Sequence, residues 1–259
     1  EKNRVLLDEA IKTLDFKINE MSRGLKTNRS MTVGIMIPSL ENIFFTSIVS
    51  NVENILIQNG YSTIVCDYRE SPELERQKLD FLINKMVDGI IMVPHGSNSA
   101  YIQQAVEKGM PIVFIDRHLK DVECDVVLAD NINASYNAIE QLIVRGHKRI
   151  GVICGPKGIY TTEERLKGYI RAHEDYAVTI DKALIKYGNY DVESGYHMLI
   201  SLIESDNPPS AVLVTNYEMT LGAIMAVNEK GIKVPDQISI IGFDNIQLAK
   251  IVKPTLSIV

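Results

Sequence analysis

From residue 32 onward, short runs of apolar and β-branched residues alternate with segments whose apolar positions recur every three or four residues. The runs are Val33–Ile37, Thr63–Cys66, Gly89–Val93 and Ile112–Ile115, then Ile150–Ile153, Ala211–Val214 and Ile238–Ile241. Their apolar character is continuous, which marks strands buried on both faces, as in parallel sheets. Between them, Ile48, Val52, Ile55 and Leu56 fall on one helical stripe, as do Leu79, Leu82, Ile83 and Met86. Ala138, Leu142 and Ile143 form another, and Leu221, Ile224 and Met225 a fourth. Gly60 and Gly109 stand where helices should stop, with Pro111 close behind the second. This alternation predicts a doubly wound α/β fold.

The rhythm comes in two blocks, about four strand–helix units before Asp130 and three or four after it. Asp121–Asp130, with its short run Val126–Leu128, reads as the connection between two lobes. Residues 1–29 stand outside the pattern. Leu7, Ile11 and Leu14 are helically spaced, and a polar, basic stretch, Asn19–Thr27, follows. The expected divisions are residues 1–18, 19–30, a first lobe over 31–130, a second over 131–252, and a tail over 253–259 that starts a crossover back to the first lobe.

Composition narrows the classes. Of 259 residues, 46% are hydrophobic and 23% charged, an ordinary globular balance. No apolar run reaches the roughly 20 residues that span a bilayer, and the charged start, Glu1-Lys2-Asn3-Arg4, has no signal-peptide pattern. The expectation is a cytoplasmic protein without a membrane partner. The net charge of −6 argues against a nucleic-acid surface over the whole body. It is uneven, however: residues 1–29 carry seven Lys/Arg against five Asp/Glu, so only the head is basic. Cys66, Cys124 and Cys154 form no C-x-x-C, and the five histidines lack metal-ligand spacing. The cysteines read as small core residues, with no metal site and no cofactor expected.

Several motifs then occur in a telling order. Leu14-Asp15-Phe16-Lys17-Ile18-Asn19 and Ser22-Arg23-Gly24-Leu25-Lys26-Thr27 precede Thr32–Pro38. Asn42–Phe45, Val87–Ile91, Arg145–Ile150 and Arg165–Tyr169 follow, and then Thr215-Asn216, Val234–Asp236 and Ile241–Asn245. In this order they resemble the LacI/GalR-type bacterial transcriptional regulators. The resemblance implies two Rossmann-like lobes of the periplasmic-binding-protein type I architecture, preceded by a hinge helix and the remnant of a DNA-binding headpiece. It implies a homodimer, a small-molecule effector and operator DNA as partners of the full-length protein. It also implies that the hinge, through Asn19, Ser22, Arg23, Leu25 and Lys26, touches DNA. Leu25 would be an apolar wedge in the minor groove, and Arg23, Lys26 and Arg29 would neutralise phosphates. Gly24 departs from a stable helix, since glycine costs about 1 kcal/mol relative to alanine, and fits a hinge that orders only on DNA. The family's helix-turn-helix would precede Glu1 and its body would continue past Val259, so the chain reads as a fragment.

Ligands of open α/β sheets sit at the carboxyl ends of the strands. Asp116 and Arg117 follow one run directly, Asn216 follows another, Asp244 a third, and Arg165 opens a helix after the loop that ends Ile150–Cys154. Carboxylates and guanidiniums accept from and donate to vicinal hydroxyls, which suits sugars and nucleobases. By resemblance, Asp116, Thr161, Arg165, Asn216 and Asp244 match effector-binding positions. Phe44 and Phe45 match cleft-lining ones, and Tyr190 an aromatic against the ligand ring. Plainer roles stand beside these: Phe44 and Phe45 as a hydrophobic staple, Tyr190 as cover for a lobe edge, Asp244 as a cap. Tyr217 replaces a common aspartate, and Ile159 a residue charged in some relatives. Asp116, Arg117 and the aromatics favour a sugar over a purine.

The expected function is therefore a ligand-responsive regulator, a repressor of transcription. An alternative is the solute-binding receptor of an uptake transporter, which shares the two-lobed body but not a segment like Asn19–Thr27. No enzyme is expected. Pro38-Ser39-Leu40 replaces a G-x-G-x-x-G turn after the first strand, Cys154–Gly158 lacks P-loop spacing, and no nucleophile motif occurs.

Overall fold

A computed structural model describes residues 4, 13, 29–96, 99–244, 250 and 255–259 of the chain. The expected hinge contacts Asn19, Ser22, Arg23, Leu25 and Lys26 lie outside the described residues. The first sheet is built from β1 (Thr32–Ile37), β2 (Ser62–Asp67), β3 (Gly89–Met92), β4 (Ile112–Ile115) and β5 (Asp125–Val127), in the order β2-β1-β3-β4-β5. The second is built from β6 (Ile150–Cys154), β7 (Ile185–Tyr187), β8 (Ala211–Val214), β9 (Ser239–Gly242) and β10 (Ser257–Ile258), in the order β10-β9-β8-β6-β7. Every pairing is parallel. The fold is thus two doubly wound α/β lobes.

Helices cover both faces of each sheet, as the continuous apolar strands require. In the first lobe, α1 (Ile43–Gln58) packs Phe45, Ile48 and Val52 against Ile35, Ile37 and Val93 on one face. On the other, α2 (Pro72–Asn84) and α3 (Ala100–Glu107) bring Leu79, Leu82, Ile102 and Ala105 onto Met36, Ile90, Met92 and Phe114. In the second lobe, α4 (Asn131–Val144) and α5 (Tyr160–Asp175) share one layer with Val152, Cys154 and Leu213. There α6 (Val192–Ile203) and α7 (Tyr217–Glu229) pack on Ile153, Val212, Val214 and Ile240. Side-chain caps fix the helix starts: Asn42, Ser71, Asp130, Asp191 and Asn216 each accept from a backbone N–H in the first turn. No helix among the described residues is long and apolar enough to cross a membrane.

Several details differ from the sequence pattern. Asp121–Asp130 is more than a connection, because its middle pairs with β4 as the edge strand β5. Strand β7 had no visible signal; it is a three-residue, half-buried edge strand with a lysine at its centre. Ser257–Ile258, in the tail expected to start a crossover, extends the second sheet by pairing with β9. Ile55 is 62% exposed, since it lies beside the arc of α1 centred on Phe45, Val49 and Val52. Met86 falls past the C-cap of α2, and Met225 turns outward because α7 buries Met219, Ala223, Ala226 and Val227 instead.

The three cysteines are free, Cys66 and Cys154 buried and Cys124 half-buried. Burial pushes the Cys154 thiol up to about 12, which suppresses the thiolate and suits an inert core residue.

Glycine inside a helix signals close packing when it is kept despite its cost. In the second lobe the helix pairs meet through such residues. A Cβ at Gly168 in α5 would collide with the Ile132 carbonyl of α4. One at Gly195 in α6 would strike the Met219 backbone, and one at Gly222 in α7 the Val192 carbonyl. Each collision is with main chain, which cannot rotate away. Gly222→Ala is expected to cost about 2 kcal/mol, the typical penalty of overpacking. The measurement is urea unfolding, where the midpoint should fall at an unchanged slope; an unmoved midpoint would contradict the close approach.

Candidate functional site

The carboxyl ends of both sheets face one cavity of about 810 Å³, within the range of small-ligand sites. All nine residues expected at a ligand site line it. Phe44, Phe45, Asp116 and Arg117 come from the first lobe, and Thr161, Arg165, Tyr190, Asn216 and Asp244 from the second. Residues without a sequence signal line it too, among them Glu70, Asn189 and Glu218.

The second lobe supplies a rigid wall. Arg165, on the second turn of α5, is 7% exposed and held from three directions. Its Nε donates to Asn131 Oδ1 at 2.7 Å, at the start of α4. Its Nη1 donates to the Thr215 carbonyl just past β8, and its guanidinium lies 4.2 Å from the centroid of the Phe243 ring, just past β9. Thr215 Oγ1 in turn donates to the Ile153 carbonyl at 3.0 Å. Asn216 caps α7 by accepting from Met219 N at 3.1 Å, while its Nδ2 donates to Glu218 Oε2 at 2.7 Å.

Tyr190 is more than an edge cover. Its hydroxyl shares hydrogen bonds with Thr161 at 3.1 Å and Thr162 at 2.6 Å. Its ring occupies the space a side chain on residue 155 would need, so Gly155 seats it. The first lobe offers aromatic surface. Phe44 and Phe45 meet edge to face with centroids 5.2 Å apart. Phe45 is 6% exposed and belongs to the core under α1, while Phe44 is half-buried.

The two aspartates differ from ordinary surface carboxylates. Asp116 is buried and Asp244 half-buried, and neither has a side-chain hydrogen bond among the described residues. Burial pushes the carboxyls of both above their usual range, against the opposing pull of Arg165 on each. Burial does the same to Glu218, and the neighbouring charge of Asp244 adds to it. Asp116, Tyr190 and Asp244 have φ of 66°, 61° and 70°, in the left-handed region that non-glycine residues avoid. Strained backbone gathered around one cavity is typical of sites organised for function.

Arg117 lines the cavity with its terminal nitrogens engaged inside the protein. Its side chain turns to Glu70, with Nη1 to Oε2 at 3.0 Å and Nη2 to Oε1 at 2.6 Å. Burial works against the Arg117 charge, but these bonds outweigh it and raise its pKa. Asp116 and Arg117 thus do not act as one pair. As for metals, no cluster of three or more ligating side chains occurs among the described residues.

Residues 30–258 match the family model described as periplasmic binding proteins and sugar binding domain of the LacI family. The chain is 32% identical over 251 residues to the transcriptional repressor PurR of Histophilus somni, covering 96% of this chain and 75% of that protein. It is 31% identical over 258 residues to the transcriptional repressor CytR of Escherichia coli K12, covering 99% and 74%. Among solved structures, a sugar-binding transcriptional regulator of the LacI family from Escherichia coli, complexed with phosphate, superposes with a TM-score of 0.77. That pair shares 29% identity over 89% of this chain and 84% of the other.

The raised carboxyls fix the sign of a stability effect. Asp244 holds its proton more tightly folded than unfolded, so its contribution is fully present below its ordinary value of 3.8 and lost as pH rises through the folded value. At pH 7 its charge therefore opposes folding. Asp244→Asn, which tolerates the same φ, is expected to raise the Tm of the ligand-free chain at pH 7. A gain of roughly 2–4 °C corresponds to about 1 kcal/mol at this size. Thermal unfolding from pH 7 downward should show the gain shrinking as the wild-type carboxyl protonates. A variant less stable at pH 7 would overturn this account.

Proposed function

Because this chain belongs to the family of periplasmic binding proteins and LacI-type sugar-binding domains, we propose that it is the effector-sensing body of a ligand-responsive transcriptional repressor. The observation that carries the reading is the cavity itself. It draws strong hydrogen-bonding groups from the strand ends of two lobes, so a ligand seated there touches both. The roles follow from the geometry. Asp116 and Asp244 accept from ligand hydroxyls, Arg165 donates from its free terminal nitrogen, and Asn216, Thr161 and Tyr190 complete the polar wall. Phe44 packs against the apolar face of a ring, and Phe45 backs it from the core. A sugar fits this combination better than a purine, because the carboxylates outnumber the flat surfaces. Binding, not bond-breaking, is the role of these groups.

The expected divisions at 1–18, 19–30, 31–130 and 131–252 assign the sensing to two lobes and the DNA contact to the segment ahead of them. In the full-length protein, a cytoplasmic homodimer, ligand closes the lobes and changes the spacing of paired hinges. Asn19, Ser22, Arg23, Leu25 and Lys26 are the DNA-facing residues of that hinge. The effector moves this equilibrium only by its differential affinity for the two states. The curated relatives aligned over nearly the whole chain are transcriptional repressors, which favours this role over that of an uptake receptor.

A thermal-shift screen of the purified chain against sugars and purines tests the site. A true effector at 100 times its Kd should raise Tm by roughly 5–10 °C, the equivalent of about 2.7 kcal/mol. Asp244→Ala and Arg165→Ala should each weaken that ligand roughly 10- to 100-fold, as loss of a charged hydrogen bond does. A hit indifferent to both variants would place the ligand elsewhere. On the full-length protein, a gel-shift titration should show operator affinity changing at saturating ligand, and unchanged affinity would rule out the regulatory coupling.

A further inference from the structure

The loop after β2 takes an unusual course. Arg69 and Glu70 are consecutive non-glycine residues in the left-handed region, with φ of 52° and 48°. Asp67 holds the turn by accepting from Arg69 N at 2.8 Å and Leu40 N at 3.2 Å, while Glu70 N donates to the Pro38 carbonyl at 3.2 Å. Tyr68 anchors it from below, fully buried with its hydroxyl on the Val93 carbonyl. Among the outcomes of this strained, clamped path is a contact with Arg117. Glu70 is laid across the end of Arg117 so that its two oxygens take both terminal nitrogens.

That contact matters because of what else lines the cavity. Seven carboxylates and three guanidiniums surround it. Arg69 is exposed at the rim, and Arg165 has spent Nε on Asn131 and Nη1 on Thr215. Arg117 is the guanidinium whose two-donor end would suit a phosphate or carboxylate ligand, and Glu70 occupies that end. An anion entering the buried part of the cavity would meet Asp116, Glu218 and Asp244 at low dielectric, with Arg69, exposed to solvent, left to receive it. We propose that Glu70 is a specificity-determining residue that masks Arg117, so that the cleft selects uncharged, hydroxyl-rich ligands over their phosphorylated forms. This inference rests on the reading of the cavity as the effector site.

The test uses matched pairs that differ only in charge: D-ribose and D-ribose 5-phosphate, D-glucose and D-glucose 6-phosphate, adenosine and adenosine 5′-monophosphate. Inorganic phosphate is a probe independent of scaffold. By calorimetric titration of the purified chain, the neutral member of any pair that binds should be at least 10-fold tighter than its phosphate ester. Inorganic phosphate should not bind in the cleft. Glu70→Gln should narrow that ratio several-fold by strengthening the ester, and should admit inorganic phosphate. If Glu70→Gln fails to fold, Glu70→Asp, too short to hold both nitrogens, should move the ratio the same way. The wild-type ratios and phosphate response stand on their own.

An ester that binds wild type as tightly as its parent, cleft binding of inorganic phosphate to wild type, or a folded Glu70 variant with an unchanged ratio would each overturn the proposal. If Arg165→Ala and Asp244→Ala abolish that ester's binding, the effector-site reading survives and only this inference falls. If neutral ligands bind undiminished in both variants, both fall.

Discussion

A parallel sheet must hide both of its faces, and this constraint organises the whole chain. Strands such as Val212–Val214 are fully buried, so no polar side chain on them can reach solvent or ligand. Helices consume the faces, and the strand termini become the places where charged groups can stand at modest cost. All parallel strands of a lobe end on the same side, so each lobe gathers its polar residues along one edge. Two such edges facing one another make the cavity. The site is a consequence of how the core is closed.

The same closure explains why the site is charged and strained. Asp116 and Asp244 sit at the limit of the core, half inside a medium that raises their pKa and without a protein hydrogen-bond donor among the described residues. Both hold left-handed φ angles and line the cavity. Neither feature helps the lobe fold; both leave acceptors waiting. Arg165 shows the opposite economy, since Asn131, Thr215 and Phe243 satisfy most of its surface before any ligand arrives. A preorganised donor beside unsatisfied acceptors suits hydroxyl groups, which offer both halves of the exchange.

Much of this was legible in the sequence, for identifiable reasons. Buried parallel strands announce themselves by unbroken apolar runs, and polar residues within three positions of the ends of those runs, Asp116, Asn216 and Asp244, are placed at strand ends by counting alone. Edge strands are different. Strands β5 and β7 are three residues long and partly exposed, so neither needs an apolar run. The role of Arg117 was also hidden, because Glu70 lies 47 positions away and reaches it only through the turn of Arg69 and Glu70. Asn131 and Thr215 support Arg165 through distances of 34 and 50 positions, with no local signature. Gly168, Gly195 and Gly222 drew no reading from the sequence, and only the structure shows backbone meeting backbone at each.

In the proposed function, the route from cavity to DNA would begin at a defined junction. Ahead of β1, Ser30 N and Oγ donate to Asp88 Oδ1 at 2.7 and 3.0 Å, and Met31 N donates to Oδ2 at 3.0 Å. Asp88 precedes β3, a strand next to β1 in the sheet, so the residues that leave the lobe are pinned to its middle. Ser30 and Met31 are thereby fixed to the first lobe and turn with it. In the proposed function, a ligand in this cavity reaches the first lobe through Phe44 and Asp116 and the second through Arg165 and Asp244, all of which line it. On that proposal, a ligand that bridges them would set the angle of the first lobe against the second, and Asp88 would carry that angle to residue 30. On that proposal, coupling would need no internal relay through the core: two lobes, a ligand that prefers one angle between them, and a pinned exit would be sufficient.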